Sequence, residues 1–566
     1  MKLGLSQPSP THSILENGLD PAYRSKRWKR LLALAAGALL LCSALTGCQS
    51  GQEENKPIQA NVVVRLVHDP EVRALLSAVK ERFYLQGNTL SEGTPFALEL
   101  VPELNVPAAR RLASGDLKAE AWITPLRSLA EYVNQSVAPL GAAQVECRPL
   151  FRTPMVMVAP AHLVGQLRAS DGQVSWTSFI EQLAVDGGAL GNAPIGYSHG
   201  FPEFAASGPM VLNFLARLAQ GGRATAEPTS PLQPGPIDAR MIQQLHDWQR
   251  WVSHYSISEG YLMERVARST LKRLYVSLAS EQQLRLFQRN QREDAPKVVG
   301  LVPEEGTIWS TYQLCISDAP WVTAAHRSIL SKLGQFFASS EGSSLPASFG
   351  FRPVTPAVGS TERVPGDLGE LTGKQLGELL TRWPKEIMKP GALMLVLDSS
   401  GSMEGEPLRA SKESIRNLLP RLDPRDQVGF LTFGSEVKDR LAVGTKLQSI
   451  FEALDAVQPV GGSSAYDALK AGMDELSAPS LNGYRRTLIM ITDGEGLNSE
   501  LSLQGIQDYL SSRLSRYDVN IQIIALKREG ADFSDLEKIA RGVNGYFRAA
   551  TAAELIGIIQ EAMRNV

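Results

Sequence analysis

Histidine is scarce in this chain. Seven are scattered through 566 residues, and none forms the His-Glu-x-x-His pair that seats a catalytic zinc. No Gly-x-Ser-x-Gly turn surrounds Ser400 or Ser402, so neither sits in the nucleophile elbow of an acyl-transferring hydrolase. Ser269-Thr270-Leu271-Lys272 fits Ser-x-x-Lys but lies in a charged stretch that reads as helix. Gly373-Lys374 lacks the upstream glycine of a phosphate loop, since Leu368 stands there. An enzyme is therefore not expected. The charge balance is near neutral, with a net charge of −2, and the region after the N-terminus has no dense basic run. This argues against a nucleic-acid partner. Cysteine is also rare: four in all, at positions 42, 48, 147 and 315.

The basic residues that are clustered sit at the N-terminus. Arg24, Lys26, Arg27, Lys29 and Arg30 precede an apolar stretch, Leu31 to Leu45. That stretch is short for a bilayer span of about 20 residues and has the flanks of a signal peptide. It ends in Leu45-Thr46-Gly47-Cys48, which resembles a bacterial lipobox. The resemblance implies cleavage before Cys48 and lipidation of its thiol. The chain would then be lipid-anchored in the cell envelope, facing the periplasm or exterior. An ordinary signal peptide or a short membrane anchor are the alternatives. Residues 1–47 are thus read as signal and 48–59 as a polar tether. Cys147 and Cys315 remain, as a disulfide in an oxidising compartment or as two buried thiols.

From residue 60 the pattern alternates. Asn61 to Val67, Phe96 to Val101 and Ala119 to Ile123 read as strands, and Pro70 to Phe83 and Arg110 to Gly115 as helices. This βαβαβ rhythm implies a parallel sheet. Leu112-Ala113-Ser114-Gly115, Ala121-Trp122-Ile123-Thr124-Pro125 and Arg152-Thr153-Pro154 begin an ordered series of short matches. Val174-Ser175-Trp176, Ala206-Ser207-Gly208-Pro209, Glu305 to Ser310, Asp318 to Val322 and Gly350-Phe351-Arg352-Pro353 complete it. Together residues 60–354 resemble the type II periplasmic, extracellular solute-binding family. The resemblance implies two α/β lobes joined by crossing strands near Cys147–Val158 and Trp309–Ser317. Such strands run side by side, which is the physical case for a possible Cys147–Cys315 bridge. Candidate ligand-cleft residues at strand ends are Asp69, Thr124, Ser198, His199 and Ser207. Ser207 before the helix Met210–Ala219 could present backbone N–H groups to an anion, or be a helix cap only. Met241 to Arg292 reads as strongly helical. Residues 355–389, punctuated by proline, read as a linker.

The last region, 390–566, is organised around Leu393 to Met403. Its unbroken apolar run stops at Asp398-Ser399-Ser400-Gly401-Ser402. Such a run reads as a buried parallel strand, with a ligand site at its carboxyl end. Asp398, Ser400 and Ser402 place oxygens at alternate positions, a hard donor set suited to Mg²⁺. A second apolar strand, Arg486 to Thr492, stops at Asp493, and Gly461-Gly462-Ser463 opens a helix between them. These three loops resemble the metal-ion-dependent adhesion site of von Willebrand factor type A domains. The resemblance implies a doubly wound, Rossmann-like sheet. It also implies metal ligands at Asp398, Ser400, Ser402, Ser463 and Asp493, binding Mg²⁺ or alternatively Mn²⁺ or Ca²⁺. Ser463 stands where threonine is usual, and Ser464 could compete for its role.

The expected fold class is α/β, a two-lobed substrate-binding-like domain followed by a doubly wound type A domain. The expected function is an envelope lipoprotein that binds a protein partner, whose carboxylate completes the Mg²⁺ shell. The alternative is a solute-binding receptor of a transport system, with a small-molecule ligand and the C-terminal domain as docking adapter. In a third reading the N-terminal region is a receptor fold that now serves as a spacer.

Overall fold

The computed structural model describes residues 61–167, 173–185, 188–190, 193–224, 234–269, 273–355, 365–494, 498–528, 530–543 and 545–564. The expected signal segment, Cys48 and the tether lie outside the described residues, as do Thr270 to Lys272. Among the described residues no helix is long and apolar enough to cross a membrane. The described chain falls into two compact units. The smaller holds residues 61–63 and 87–97. Within it Leu90 N–H donates to Thr94 O (2.8 Å) and Asn61 N–H to Pro95 O (3.0 Å). The larger unit carries everything that follows.

Among the described residues sixteen strands form two sheets. The first is built from β1 (Val62–His68), β2 (Phe96–Pro102), β3 (Ala121–Thr124), β4 (Ala143–Pro160), β5 (Ala189–Leu190), β6 (Ala193–Gly200), β7 (Val252–Ser256), β8 (Leu274–Ser280), β9 (Val298–Leu301) and β10 (Trp309–Asp318). Its order is β2-β1-β3-β10-β4-β8-β6-β5, with β7 on β6 and β9 on β4. The long strands β4 and β10 run antiparallel from Trp309↔Pro154 to Asp318↔Ala143. They carry the chain between a lobe on β1 and β3 and a lobe on β6 and β8. Where their register shifts, Glu146 takes φ 49° and Cys147 is disulfide-bonded to Cys315.

The stretch 241–292 departs from its helical reading. Helices Ala239–Gln249, Glu259–Ala267 and Glu281–Asn290 alternate with β7 and β8. Every residue of β8 is buried, and it pairs with both β4 and β6. Residues 365–388, read as linker, pack into the first core: Leu368, Leu371, Leu376, Leu379, Trp383 and Ile387 are fully or almost fully buried there. Thr372 caps the helix Gly373–Arg382 through a capping box with Gln375.

The second sheet has order β13-β12-β11-β14-β15-β16. Its strands are β11 (Gly391–Asp398), β12 (Gln427–Phe433), β13 (Val437–Leu441), β14 (Arg485–Thr492), β15 (Val519–Leu526) and β16 (Tyr546–Ala550). All neighbours are parallel except the edge strand β13. The unbroken apolar run of β11 has a direct cause. Met394 and Val396 enter the core on one face while Leu393, Leu395 and Leu397 enter the core on the other. Helices cover both faces, so neither side can be polar.

The amino-terminal ends of β14 and β15 abut the lobe on β6 and β8. Tyr275 OH donates to Asp518 Oδ1 (3.2 Å), Tyr261 OH to Asn520 Oδ1 (3.2 Å), and Arg273 Nε to Leu514 O (2.8 Å). The Arg485 guanidinium lies 4.7 Å from the centre of the Tyr255 ring. The carboxyl ends of the same strands face away along their length.

Candidate functional site

Asp398 and Asp493 each end a central parallel strand, so the sheet itself brings the two carboxylates to one rim. The loop after β11 turns back because Ser400 N–H donates to Asp398 Oδ1 (2.8 Å). That turn aligns the hydroxyls: Ser400 Oγ lies 3.1 Å from Ser402 Oγ, and Ser402 Oγ donates to Asp493 Oδ1 (2.8 Å). Ser463 Oγ donates to Asp398 Oδ2 at 3.3 Å. All five expected ligands thus meet in one hydrogen-bonded cluster. Ser464 does not join it, because its buried hydroxyl makes no hydrogen bond. Asp398, Ser400, Ser463 and Asp493 are buried, while Ser402 is exposed at the rim.

Backbone contacts fix the Gly-Gly-Ser loop. Gly401 N–H donates to Gly461 O (2.9 Å), Val460 N–H to Ser399 O (2.8 Å), and Gly462 N–H to Ser435 Oγ (2.8 Å). Gly461 has φ +84°, a conformation that L side chains rarely adopt. A Cβ on Gly494 would come within 2.9 Å of Ser463 Cβ and Oγ. The absence of a side chain there keeps the cradle open.

Three contributors were not legible from motif spacing. Thr492 Oγ1 donates to Asp398 Oδ2 at 2.5 Å, and Asn498 Oδ1 accepts from Ser463 N–H at 3.1 Å. Arg528, half exposed, donates from Nε to the Asp493 backbone carbonyl (2.9 Å) and stands 3.7 Å from Asp493 Oδ2. That second carboxylate oxygen is buried and makes no hydrogen bond. Burial, with Asp493 beside it, pushes the Asp398 carboxyl above its ordinary range, against the hydrogen bonds from Thr492 and Ser400. Two carboxylates, three hydroxyls and one orphaned oxygen suit a hard divalent cation better than zinc or copper.

The five cleft candidates divide. Thr124 donates to Leu126 O (3.2 Å) and Ser198 to Val276 O (3.4 Å), and both side chains are fully buried. His199 is packed against Tyr255 and Trp383, with Nδ1 2.8 Å from Gly200 O and Nε2 3.1 Å from Gln249 Oε1. Burial pushes its imidazole down to about 4. These three are spent on internal contacts. Asp69 and Ser207 differ: Asp69 Oδ2 and Ser207 Oγ are buried without a hydrogen bond. Ser207 gives its helix no side-chain cap. Both face Glu259, which the sequence reading did not single out.

Comparison with known proteins adds the following. Over 168 residues the chain is 27% identical to inter-alpha-trypsin inhibitor heavy chain H1 of Mesocricetus auratus, covering 27% of this chain and 18% of that protein. The chain thus spans less than a fifth of that relative's length. The crystal structure of BatB from Bacteroides thetaiotaomicron is similar over 31% of this chain and 98% of that one, at 19% identity and TM-score 0.26. The periplasmic binding protein AfuA from Actinobacillus pleuropneumoniae, with fructose-6-phosphate bound, is similar over 58% of this chain and 99% of that one, at 10% identity and TM-score 0.40. The hydrogen-bonded cluster lies in residues 392–561, which match the von Willebrand factor type A domain.

Proposed function

We propose that this protein is a lipid-anchored component of the cell envelope that binds a protein partner through a Mg²⁺-dependent adhesion site. The observation that carries the reading is the convergence of Asp398, Ser400, Ser402, Ser463 and Asp493, with Asp493 Oδ2 left without a hydrogen bond. These five side chains would hold the ion. When bound, Mg²⁺ supplies concentrated positive charge and a coordination position for a carboxylate from the partner. The chain's own residues do the rest. Thr492 and Ser400 orient Asp398, Asn498 fixes the Ser463 loop, and the exposed Ser402 marks the rim where a partner arrives. No bond is broken. The anchor is assigned to Cys48, the receptor-like domain to 60–354 with residues 365–388 packed on it, and the adhesion domain to 390–566. Capture of envelope proteins on the immobilised chain is expected with Mg²⁺, and to be lost in EDTA and in Asp493→Ala. Undiminished capture under either condition overturns the reading.

A second reading, a receptor for a small solute, is favoured by one observation. Between the lobes, Asp69 Oδ2, Asn105 Oδ1, Ser207 Oγ and Glu259 Oε1 are buried without hydrogen bonds. Orphaned polar atoms of this kind are costly in a finished interior and ordinary in a binding site. A ligand screen by thermal shift tests it; no shift with any ligand leaves the spacer reading.

A further inference from the structure

We infer that the contact between the two lobes takes an organic cation, an ammonium or guanidinium group received by Asp69, Glu71 and Glu259 beside the ring of Tyr312. The inference rests on the solute-receptor reading and gives it a ligand class. Asp69 and Glu71 follow β1 in the first lobe, and Glu259 opens the helix Glu259–Ala267 in the second. Asp69 uses Oδ1 to accept from Glu71 N–H (2.9 Å) and leaves Oδ2 without a partner. Glu259 uses Oε2 to accept from Ser280 N–H (2.9 Å) and Ser280 Oγ (2.8 Å) and leaves Oε1 free.

Two further side chains point to a ligand independently of the acids. Asn105, 1% exposed, donates its amide to Ala206 O (3.2 Å), which ties one lobe to the other, while its Oδ1 has no partner. Its backbone N–H faces Asp69. Ser207, 4% exposed, has its Oγ buried beside Glu259. Tyr312, on the crossing strand β10, faces all three carboxylates, and its ring is held against Phe151 at 5.0 Å.

The orphan set decides the chemistry. As carboxylates, Asp69 and Glu259 offer only acceptor positions at Oδ2 and Oε1, as Asn105 does at Oδ1, so a donor completes the set. Among the described residues none of the three acids forms an ion pair, and burial with mutual repulsion holds Asp69 and Glu71 above the ordinary carboxylate range. A positive ligand relieves both conditions; an anion worsens the second, and a neutral sugar leaves the charge unmet. An aromatic ring beside the acids is the usual companion of a bound ammonium.

The test is calorimetry and thermal shift on the full-length chain with choline, putrescine and agmatine, set against glucose, succinate and phosphate. At least one amine is expected to bind and raise the melting temperature. Its affinity should fall about tenfold or more in Asp69→Asn and in Glu259→Gln, which keep the polar atoms that hold Glu71 N–H and Ser280. Both ligand-free variants should melt at or above the parent, because each loses an uncompensated acid. Binding confined to glucose, succinate or phosphate overturns the cation assignment and leaves the receptor reading standing. Amine binding undiminished in both variants overturns the residues named. No shift with any compound overturns the cation assignment and the receptor reading together.

Discussion

At the residue scale, Asp493 stands between two cations, the metal it would hold and Arg528. The Arg528 guanidinium lies 3.7 Å from Asp493 Oδ2 and is also hydrogen-bonded to the Asp493 carbonyl. It is half exposed, so its charge is partly screened, yet it still opposes a divalent ion in the same place. Arg528→Gln is therefore expected to bind Mg²⁺ about three- to tenfold more tightly by calorimetry. Unchanged or weaker binding would mean that its hold on the Asp493 carbonyl outweighs its charge. Neither Arg528 nor Thr492 could be paired with the site from sequence, because nothing in local spacing says which side chain a parallel sheet delivers to the same rim. The Asp-x-Ser-x-Ser loop could be read because its geometry is local, set by one Asx turn.

At the element scale, the legible strands were those with both faces buried. β11, β14 and β15 sit at the centre of their sheet, and each holds an unbroken apolar run, Leu393–Leu397, Leu488–Ile491 and Ile523–Leu526. β13 (Val437–Leu441) lies at the edge and carries Lys438, Asp439 and Arg440, a polar pattern that conceals a strand. β7 and β8 were hidden differently, short runs between charged helices, with Ser277 and Ser280 bonding internally. The adjacency of β4 and β10 carries a stability consequence. The Cys147–Cys315 bond closes a loop with a sequence separation of 168, and a cross-link of that span stabilises by about 3–5 kcal/mol. Dithiothreitol, or the double change Cys147→Ser and Cys315→Ser, should lower the melting temperature of the first domain. Mg²⁺ affinity of the second should stay within about twofold. A loss of Mg²⁺ binding on reduction would contradict the separation of the two sites.

At the scale of the whole molecule, buried titratable groups pull stability in opposite directions with pH. His199 is pushed down to about 4, and His68 and His254 are also lowered, each chiefly by burial. A histidine depressed in the folded state stabilises above its unfolded value of about 6.5 and loses that contribution as pH falls toward its folded value. Asp69 is raised to about 7, first by burial. It favours the fold below its unfolded value near 4 and costs stability as pH rises through 7. Urea midpoints of the parent and of His199→Gln, measured from pH 7 to pH 4, separate the two. The variant should lose less stability over that interval, by up to about 1.4 kcal/mol per pH unit where one proton is involved. Equal slopes would show that His199 is not held neutral.

The two ends of β14 have different attachments. Its far end delivers Asp493 to the open rim, while Arg485 at its near end bonds to Lys389 O (2.8 Å) and lies over the Tyr255 ring. A partner tugging on the rim would therefore load the sheet lengthwise. Parallel strands stretched along their axes resist in shear, many ladder bonds sharing the tension at once, whereas a sideways pull would unzip them singly. Under the proposed adhesion the strand would be a tie-rod that passes mechanical strain from the rim down to the lobe on β6 and β8.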